Sequence, residues 1–152
     1  MAIRNIVQEG DPVLRKKSFE VTDFGEKTIT LLNDMKDTLK QAKGAGLAAP
    51  QVGVLRRIFV VDVEEGYFEF INPKMISQKG SQTGDEGCLS VKGKYGTVTR
   101  PNKVTVQAYD RNGDLFTLKA EGFFARAICH EYDHLEGTLY IDKCESLYNE
   151  KK

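Results

Sequence analysis

Two histidines and a glutamate stand at a spacing that suits metal-dependent hydrolysis. His130, Glu131 and His134 form an HExxH pattern within a segment whose apolar residues recur at helical spacing. Residues four positions apart lie on one face of a helix, so the two imidazoles could bind one metal ion. Glu131 lies about 100° around the helix from His130. It would flank the metal, where a base acting on water belongs. The same pattern also arises by chance on solvated helices, so the third ligand is decisive.

A catalytic metal site usually has three protein ligands and one position open to water. The chain contains only two histidines, so the third ligand must be a residue of another type. In the HExxHxxGxxH pattern Gly137 fits, but Tyr140 occupies the position of the third histidine. The glutamates beyond His134 come too close to the end of the chain for another helix to return one to the site. Cys88 is the remaining soft ligand, which predicts a site of two histidines and one cysteine with Glu131 free.

Two stretches of small residues precede this helix. Residues 44–51, Gly-Ala-Gly-Leu-Ala-Ala-Pro-Gln, predict either a tight connection to a strand or a backbone that passes close to a ligand. Gln51 is either bonded to the backbone or directed at a substrate carbonyl. Residues 84–90, Gly-Asp-Glu-Gly-Cys-Leu-Ser, indicate a loop rather than the interior of a strand. Cys88 is then either a small buried hydrophobe or a metal-bound thiolate.

The surrounding pattern predicts helices and strands in one chain. A first helix is predicted between Asp23 and Gly44, with Asp23 and Glu26 spaced as a capping box and Gly44 as the terminating glycine. A last helix begins near Glu121 and ends before Gly137. Asn112-Gly113 predicts a two-residue hairpin turn. Strands are predicted over residues 58–63, 67–71, 96–100, 104–108, 115–118 and 138–141. Irregular structure is predicted over residues 77–83 and 84–90 and in the polar tail 142–152.

Length and composition favour one domain over residues 1–152. The 22 lysines and arginines balance the 22 aspartates and glutamates. This balance argues against a nucleic-acid or membrane partner recognised through bulk charge. No apolar run could span a bilayer, and no signal or transit pattern opens the chain. Three cysteines, with Cys129 and Cys144 as predicted non-ligands, suit a reducing compartment. A cytoplasmic protein with no membrane and no specific nucleic-acid partner is expected.

Three stretches together resemble the signature motifs of the peptide deformylase family. They are residues 44–51, 86–90 and 130–134, in the family's order and at suitable spacings, and the match in length covers essentially the whole chain. Each motif is weak alone, and the three together are specific. The resemblance implies an α+β fold in which antiparallel sheets pack around a C-terminal metal-binding helix. It also implies a metal-dependent hydrolase that removes the formyl group from N-terminal formylmethionine of nascent polypeptides and releases formate.

The resemblance carries roles to individual positions. Metal-bound water or hydroxide would attack the formyl carbon, with Glu131 as general base and then general acid. The Gln51 side chain and the backbone N–H of Leu89 would stabilise the negative charge on the former formyl oxygen. The metal would be bound by Cys88, His130 and His134. The substrate would contact Ala45, Gly46, Gly87, Phe123 and Ala127.

Two imidazoles and a thiolate suit several divalent metals. The resemblance implies one ion per chain, iron(II) in the cell, with zinc, nickel or cobalt in isolated protein. Its implied partners are N-formylmethionyl peptides and nascent chains, met transiently near the ribosome in a bacterial-type cytoplasm. Ala45, Lys92 and Arg126 depart from the family pattern, which affects the cleft rather than the reaction. Two alternatives stay open: a metallopeptidase or other amide hydrolase using the same ligands, and a non-catalytic metal-binding domain with a fourth protein ligand.

Overall fold

The computed structural model describes residues 2–149, which form two α-helices and eight β-strands with short 3₁₀ turns between them. The helices are α1 (Glu26–Ala42) and α2 (Phe123–Leu135). The strands are β1 (Gly46–Ala48), β2 (Ile58–Val63), β3 (Gly66–Lys79), β4 (Gln82–Cys88), β5 (Val91–Arg100), β6 (Lys103–Tyr109), β7 (Leu115–Glu121) and β8 (Ser146–Asn149). The 3₁₀ turns are Pro12–Arg15, Ala49–Val52 and Tyr140–Asp142. None of the helices in this part of the chain is both long enough and apolar enough to cross a membrane.

The strands form two antiparallel sheets. The larger sheet has the order β1-β2-β3-β6-β7, and the smaller has the order β4-β5-β8. The continuous apolar run of β2 is explained by its position, because both faces of this strand are covered. Phe59 and Val61 pack in a core with α2, whereas Ile58 and Val60 pack in a second core with α1. Successive side chains of a strand point to opposite faces, so a fully apolar run is what a doubly covered strand requires.

Helix α2 is the most enclosed element of the molecule. Ten of its 13 residues are buried, including two histidines, a glutamate and an arginine. It begins after Gly122, whose φ of 67° few other residues could adopt. Because buried polar groups are costly unless they are bonded, the polar residues of this helix must find partners or ligands inside the molecule. This requirement places the candidate site at α2.

The predicted α+β fold, with antiparallel sheets around a C-terminal helix, is confirmed. The strand predicted over residues 58–63 matches β2, and the predicted helices fall on α1 and α2. The predictions of irregular structure are wrong in part. Strand β3 continues to Lys79, and residues 84–88, predicted as a loop, belong to β4. Pairing with β5 supplies the backbone hydrogen bonds of β4, so its glycines do not end the strand.

Several predicted ends are also corrected. Gly25 rather than Asp23 caps α1, and the Asp23 carboxylate instead accepts a hydrogen bond from the Gly25 N–H at 2.8 Å. Lys43 rather than Gly44 takes the left-handed conformation after α1, with φ 56°. Asn112-Gly113 lies inside a longer turn between β6 and β7. Residues 138–141 form no strand, since the 3₁₀ turn Tyr140–Asp142 begins within them, and residues 146–149 of the predicted polar tail form β8 against β5. The remainder of that tail, residues 150–152, lies outside the described part of the chain.

Candidate metal centre and active site

Three side chains that the sequence analysis selected as metal ligands meet at one point. The nearest ligand atoms of Cys88, His130 and His134 all lie within 4.8 Å of one another. The Cys88 Sγ and the His134 Nε2 are 3.4 Å apart. Two such donors on one tetrahedral zinc-type ion would stand about 3.6 Å apart, from metal–sulfur and metal–nitrogen bonds of about 2.3 and 2.0 Å. The donor set and its spacing therefore fit a mononuclear metal site.

The ligands come from two elements, helix α2 and strand β4. His130 and His134 lie one turn apart on α2, with ring centroids 5.2 Å apart. Cys88 ends β4, immediately before the turn that leads into β5, and pairs with Val91 across that turn. Cys129, adjacent in sequence, is buried in the core on the other side of α2. Burial raises the pKa of the Cys129 thiol to about 11, so it remains a neutral thiol.

One glutamate fixes the orientation of the first histidine. Glu86 on β4 is buried, and its Oε1 lies 2.8 Å from the His130 Nδ1. The other ring nitrogen of His130 is thereby directed toward Cys88 and His134. A carboxylate behind a ligating imidazole fixes the ring and strengthens it as a ligand. Arg100 in turn donates to both oxygens of Glu86 at 2.9 Å and to the Asp133 carboxylate at 2.6 Å.

This network determines the charge of Glu86. Burial alone would raise the pKa of the Glu86 carboxyl, but hydrogen bonds from Arg100 and His130 lower it well below its ordinary value. The carboxylate is therefore ionised behind the metal centre. Sequence analysis assigned no role to Glu86, Arg100 or Asp133. Their contacts join residues 14 to 44 positions apart, and the only local signal was that Glu86 stands two residues before Cys88.

Glu131 lies beside the metal ligands without joining them. Its Oε2 is 4.0 Å from the His130 Nε2, and its buried Oε1 has no hydrogen-bond partner among residues 2–149. Burial raises the pKa of the Glu131 carboxyl to about 7, although the nearby His130 opposes the shift. A side chain at Gly46 could not fit, because its Cβ would lie 2.6 Å from the Glu131 Oε2. Gly46 therefore makes the space that the carboxylate occupies.

Gln51 lies beside the Cys88 ligand. Its side-chain oxygen accepts from the Ala48 N–H at 2.9 Å, which leaves the amide nitrogen facing the site. That nitrogen lies 3.0 Å from the Ser90 hydroxyl and 3.5 Å from the Cys88 sulfur. Leu89 is the residue between Cys88 and Ser90 in the turn after β4. The structure thus brings the side chain of Gln51 and the backbone of Leu89 to the same edge of the metal centre.

A cleft of about 290 Å³ opens onto these groups. It lies between β1 and β4, and each of these strands pairs with only one neighbour in its sheet. An extended peptide could therefore add its backbone to either strand. Phe123 is 61% exposed at the mouth of the cleft, and Ala127 lies deeper. All of the predicted substrate-binding residues line it: Ala45, Gly46, Gly87, Phe123 and Ala127. The three positions that depart from the family pattern, Ala45, Lys92 and Arg126, line it as well.

An HExxH helix completed by a thiol from a hairpin, with a free carboxylate in a cleft, defines a metal-dependent hydrolase. Residues 3–150 match the family model for polypeptide deformylase, and the chain belongs to that family. The predicted family and enzyme class are confirmed. The part of the cofactor prediction that is confirmed is metal dependence with a Cys/His/His group.

Individual relatives are similar over nearly the whole chain. The peptide deformylase of Agathobacter rectalis is 53% identical over 145 residues, which cover 95% of this chain and 92% of that protein. The peptide deformylase of Clostridium botulinum is 52% identical over 94% of this chain and 97% of its own length. Among solved structures, the peptide deformylase of Legionella pneumophila has a TM-score of 0.92 at 44% identity, covering 95% of this chain and 87% of that one. The peptide deformylase of Synechococcus elongatus, solved in complex with actinonin, has a TM-score of 0.91 at 38% identity, covering 94% and 79%.

Proposed function

We propose that this chain hydrolyses the N-formyl group of N-terminal formylmethionine on nascent polypeptides, forming formate and a free amino terminus. The observation that carries the proposal is the meeting of Cys88, His130 and His134 beside the Glu131 carboxylate, whose Oε1 has no hydrogen-bond partner among residues 2–149. The whole reaction is proposed to take place in one deformylase domain over residues 1–152. A cytoplasmic location and transient work near the ribosome belong to the same proposal.

The metal would be held by Cys88, His130 and His134, and we propose iron(II) in the cell, with zinc, nickel or cobalt able to replace it in isolated protein. A thiolate and two imidazoles suit all four ions. A divalent ion in such a site supplies Lewis acidity, which can lower the pKa of water from about 15.7 toward about 7. Glu86 would keep the His130 ring in place, through the 2.8 Å contact to its Nδ1.

Glu131 would move the protons of the reaction. Its Oε1, which no group in the described part of the chain bonds, can accept the proton of the attacking water and later deliver it to the departing amine nitrogen. Burial raises the pKa of the Glu131 carboxyl to about 7, which favours proton uptake by this group. A group of that kind can both take and return a proton. A Cβ at Gly46 would meet the Glu131 Oε2 at 2.6 Å, so a substrate strand along Gly46 and the base would lie side by side.

The tetrahedral intermediate would place negative charge on the former formyl oxygen. The Gln51 Nε2–H and the Leu89 N–H are proposed to donate to that oxygen. The side chain of Gln51 is held in position by its Oε1, which accepts a hydrogen bond from the Ala48 N–H. The peptide would lie extended along Ala45, Gly46 and Gly87, with the methionine side chain near Phe123 and Ala127.

We expect Gln51→Leu to lower kcat by about 10²–10³-fold, the loss typical when one oxyanion donor is removed. Leu keeps the approximate volume but cannot donate a hydrogen bond. KM for a formyl-Met peptide should change little, because the bond forms in the transition state. Steady-state formate release measures both constants, and Gln107→Leu is the matched control, since Gln107 lies on β6 in the larger sheet and does not line the cleft. A large rise in KM with kcat intact would contradict the oxyanion role.

The proposed substrate is tested by comparing formate release from a formyl-Met peptide with cleavage of the same peptide without its formyl group. Protein prepared anaerobically and analysed for metal should release formate and leave the unformylated peptide intact. Equal rates on both substrates would favour the metallopeptidase alternative. Full metal content with neither activity would favour a non-catalytic metal-binding domain.

A further inference from the structure

Arg126 is a buried cation for which the proposed reaction has no use. It lies on the stripe of α2 that faces the cleft, together with Phe123, Ala127, His130 and Glu131. Its side chain is only 7% exposed. An arginine buried to this extent is destabilising unless its charge is paired and its N–H groups are bonded. The partners of the guanidinium therefore indicate why it is there.

The guanidinium of Arg126 is directed toward the smaller sheet. Its Nη1 donates to the Glu86 Oε2 at 2.6 Å and to the Val98 carbonyl at 3.1 Å. Longer contacts of 3.4 Å reach the carbonyls of Gly84 and Gln82 on the free edge of β4. Arg126 thus ties α2 to both β4 and β5, and the residue also lines the cleft.

Glu86 is shared by three donors. Arg100 donates to both carboxylate oxygens, His130 bonds Oε1 and Arg126 donates to Oε2. Arg100 divides its charge between Glu86 and Asp133, whereas Glu86 is the only carboxylate that Arg126 pairs with among the residues described here. Charged donors on both sides of a carboxylate fix its orientation, and the carboxylate in turn fixes the orientation of the imidazole bonded to it.

Gly84 provides the room that the guanidinium needs. A Cβ at position 84 would lie 3.3 Å from the Arg126 Nη2 and 3.6 Å from its Cζ. A branched side chain there would extend into the guanidinium itself. The glycine that sequence analysis interpreted as a loop signal is therefore one half of a packed pair across two elements.

We propose that Arg126 is a positioning residue for the metal centre. It holds Glu86 against His130 and so fixes one of the three metal ligands, and it also lines the cleft. The inference rests on the proposed function for its catalytic consequence, but its effect on metal retention does not depend on which amide is hydrolysed.

The test is the rate at which a chelator strips zinc from zinc-loaded protein, measured beside formate release. Arg126→Met keeps an unbranched side chain at this position and deletes the charge. Loss of an outer partner of a metal ligand usually weakens binding about 10–100-fold, and Arg126 acts through one more residue, so we expect zinc loss about tenfold faster. The value of kcat should fall, whereas KM for the formyl-Met peptide should stay within about twofold because an unbranched side chain remains at this position.

Two further variants separate positioning from general stability. Arg126→Lys keeps one charged donor and should recover most of the zinc retention. Gly84→Val leaves Arg126 in the chain but displaces its guanidinium, so it should resemble Arg126→Met. Combined with Arg126→Met it should add little, because both changes break the same contact. Arg111→Met is the matched control: Arg111 bonds Glu69 at 2.6 and 2.8 Å, away from the cleft.

Zinc loss from Arg126→Met at the wild-type rate, or no faster than from Arg111→Met, would overturn the inference while leaving the deformylase proposal untouched. Additive effects of Gly84→Val and Arg126→Met would overturn it as well. Wild-type protein that retains zinc but releases no formate would instead count against the proposed function alone. If Arg126→Met does not fold, the Lys and Val variants still give the comparison.

Discussion

Glu131→Gln is expected to reduce formate release by about 10²–10⁴-fold, the usual contribution of a positioned general acid or base, with the metal still bound. Glutamine has nearly the same shape as glutamate but cannot accept the proton of water. The Glu131 Oε2 lies 4.0 Å from the His130 Nε2, so the carboxylate is a neighbour of the ligands rather than one of them. Metal content by elemental analysis and single-turnover formate release would measure the two effects separately.

Two features make the Glu131 experiment decisive. The carboxylate has a buried oxygen without a partner among residues 2–149, so its removal breaks no strong internal contact and thermal stability should not fall. Glu136→Gln is the control, since Glu136 follows the same helix but pairs with Arg57 at the surface. Turnover above half of the wild-type rate in a metal-loaded Gln variant would show that another group moves the proton. Loss of metal together with activity would show that Glu131 supports the ligands instead.

The part of the site that lies on α2 could be predicted from the sequence because it is local. His130, Glu131 and His134 share one helix, whose geometry is fixed by backbone hydrogen bonds and by apolar spacing. Cys88 was reached by elimination, with few soft ligands left in the chain. The structure brings its sulfur to 3.4 Å from the His134 Nε2. No local pattern joins a residue on β4 to two residues on α2. The composition nevertheless left few candidates for the third metal ligand, which was enough to select Cys88.

The supporting network could not be predicted in the same way. Glu86, Arg100 and Arg126 stand on β4, β5 and α2, and only the packing of the smaller sheet against the helix brings them together. Charged residues at those positions are equally consistent with solvated strand faces. The sequence marks Arg126 only as a departure from the family pattern that affects the cleft, whereas its guanidinium bonds Glu86. A sequence pattern gives the position of a long side chain on its element, but not the direction its end takes.

Glycine misled the strand prediction for a related reason. Gly84 and Gly87 suggested a loop, because glycine marks turns more often than strand interiors. In the structure Gly84 faces the Arg126 guanidinium, and a Cβ at Gly87 would meet the Tyr95 ring at 2.9 Å. A residue without a side chain is needed at both positions because a neighbouring side chain from another element lies close. The reason for each lies in tertiary packing, which a single sequence does not display.

Cys88→Ala is expected to abolish metal retention and, with it, formate release. Two imidazoles would remain, and the loss of a direct ligand should weaken binding by more than the roughly 100-fold upper range seen for outer-shell partners. The fold should persist, because Cys88 ends β4 and its pairing with Val91 uses the backbone. Zinc content after dialysis against a chelator, followed by formate release with and without added zinc, measures the effect.

The other two cysteines give controls of the same chemistry. Cys129 is buried in the core beyond α2, and the Cys144 sulfur bonds the Ile141 carbonyl, so Cys129→Ala and Cys144→Ala should keep the metal. In wild-type protein, mass spectrometry should find Cys88 protected from alkylation while metal is bound and modified once a chelator removes it, because a coordinated thiolate is not free to react. Stoichiometric zinc in Cys88→Ala, or alkylation of Cys88 at equal rates with and without metal, would mean that the sulfur is not a ligand. The third donor would then have to come from outside the group formed by Cys88, His130 and His134, and the assignment of the whole centre would fail with it.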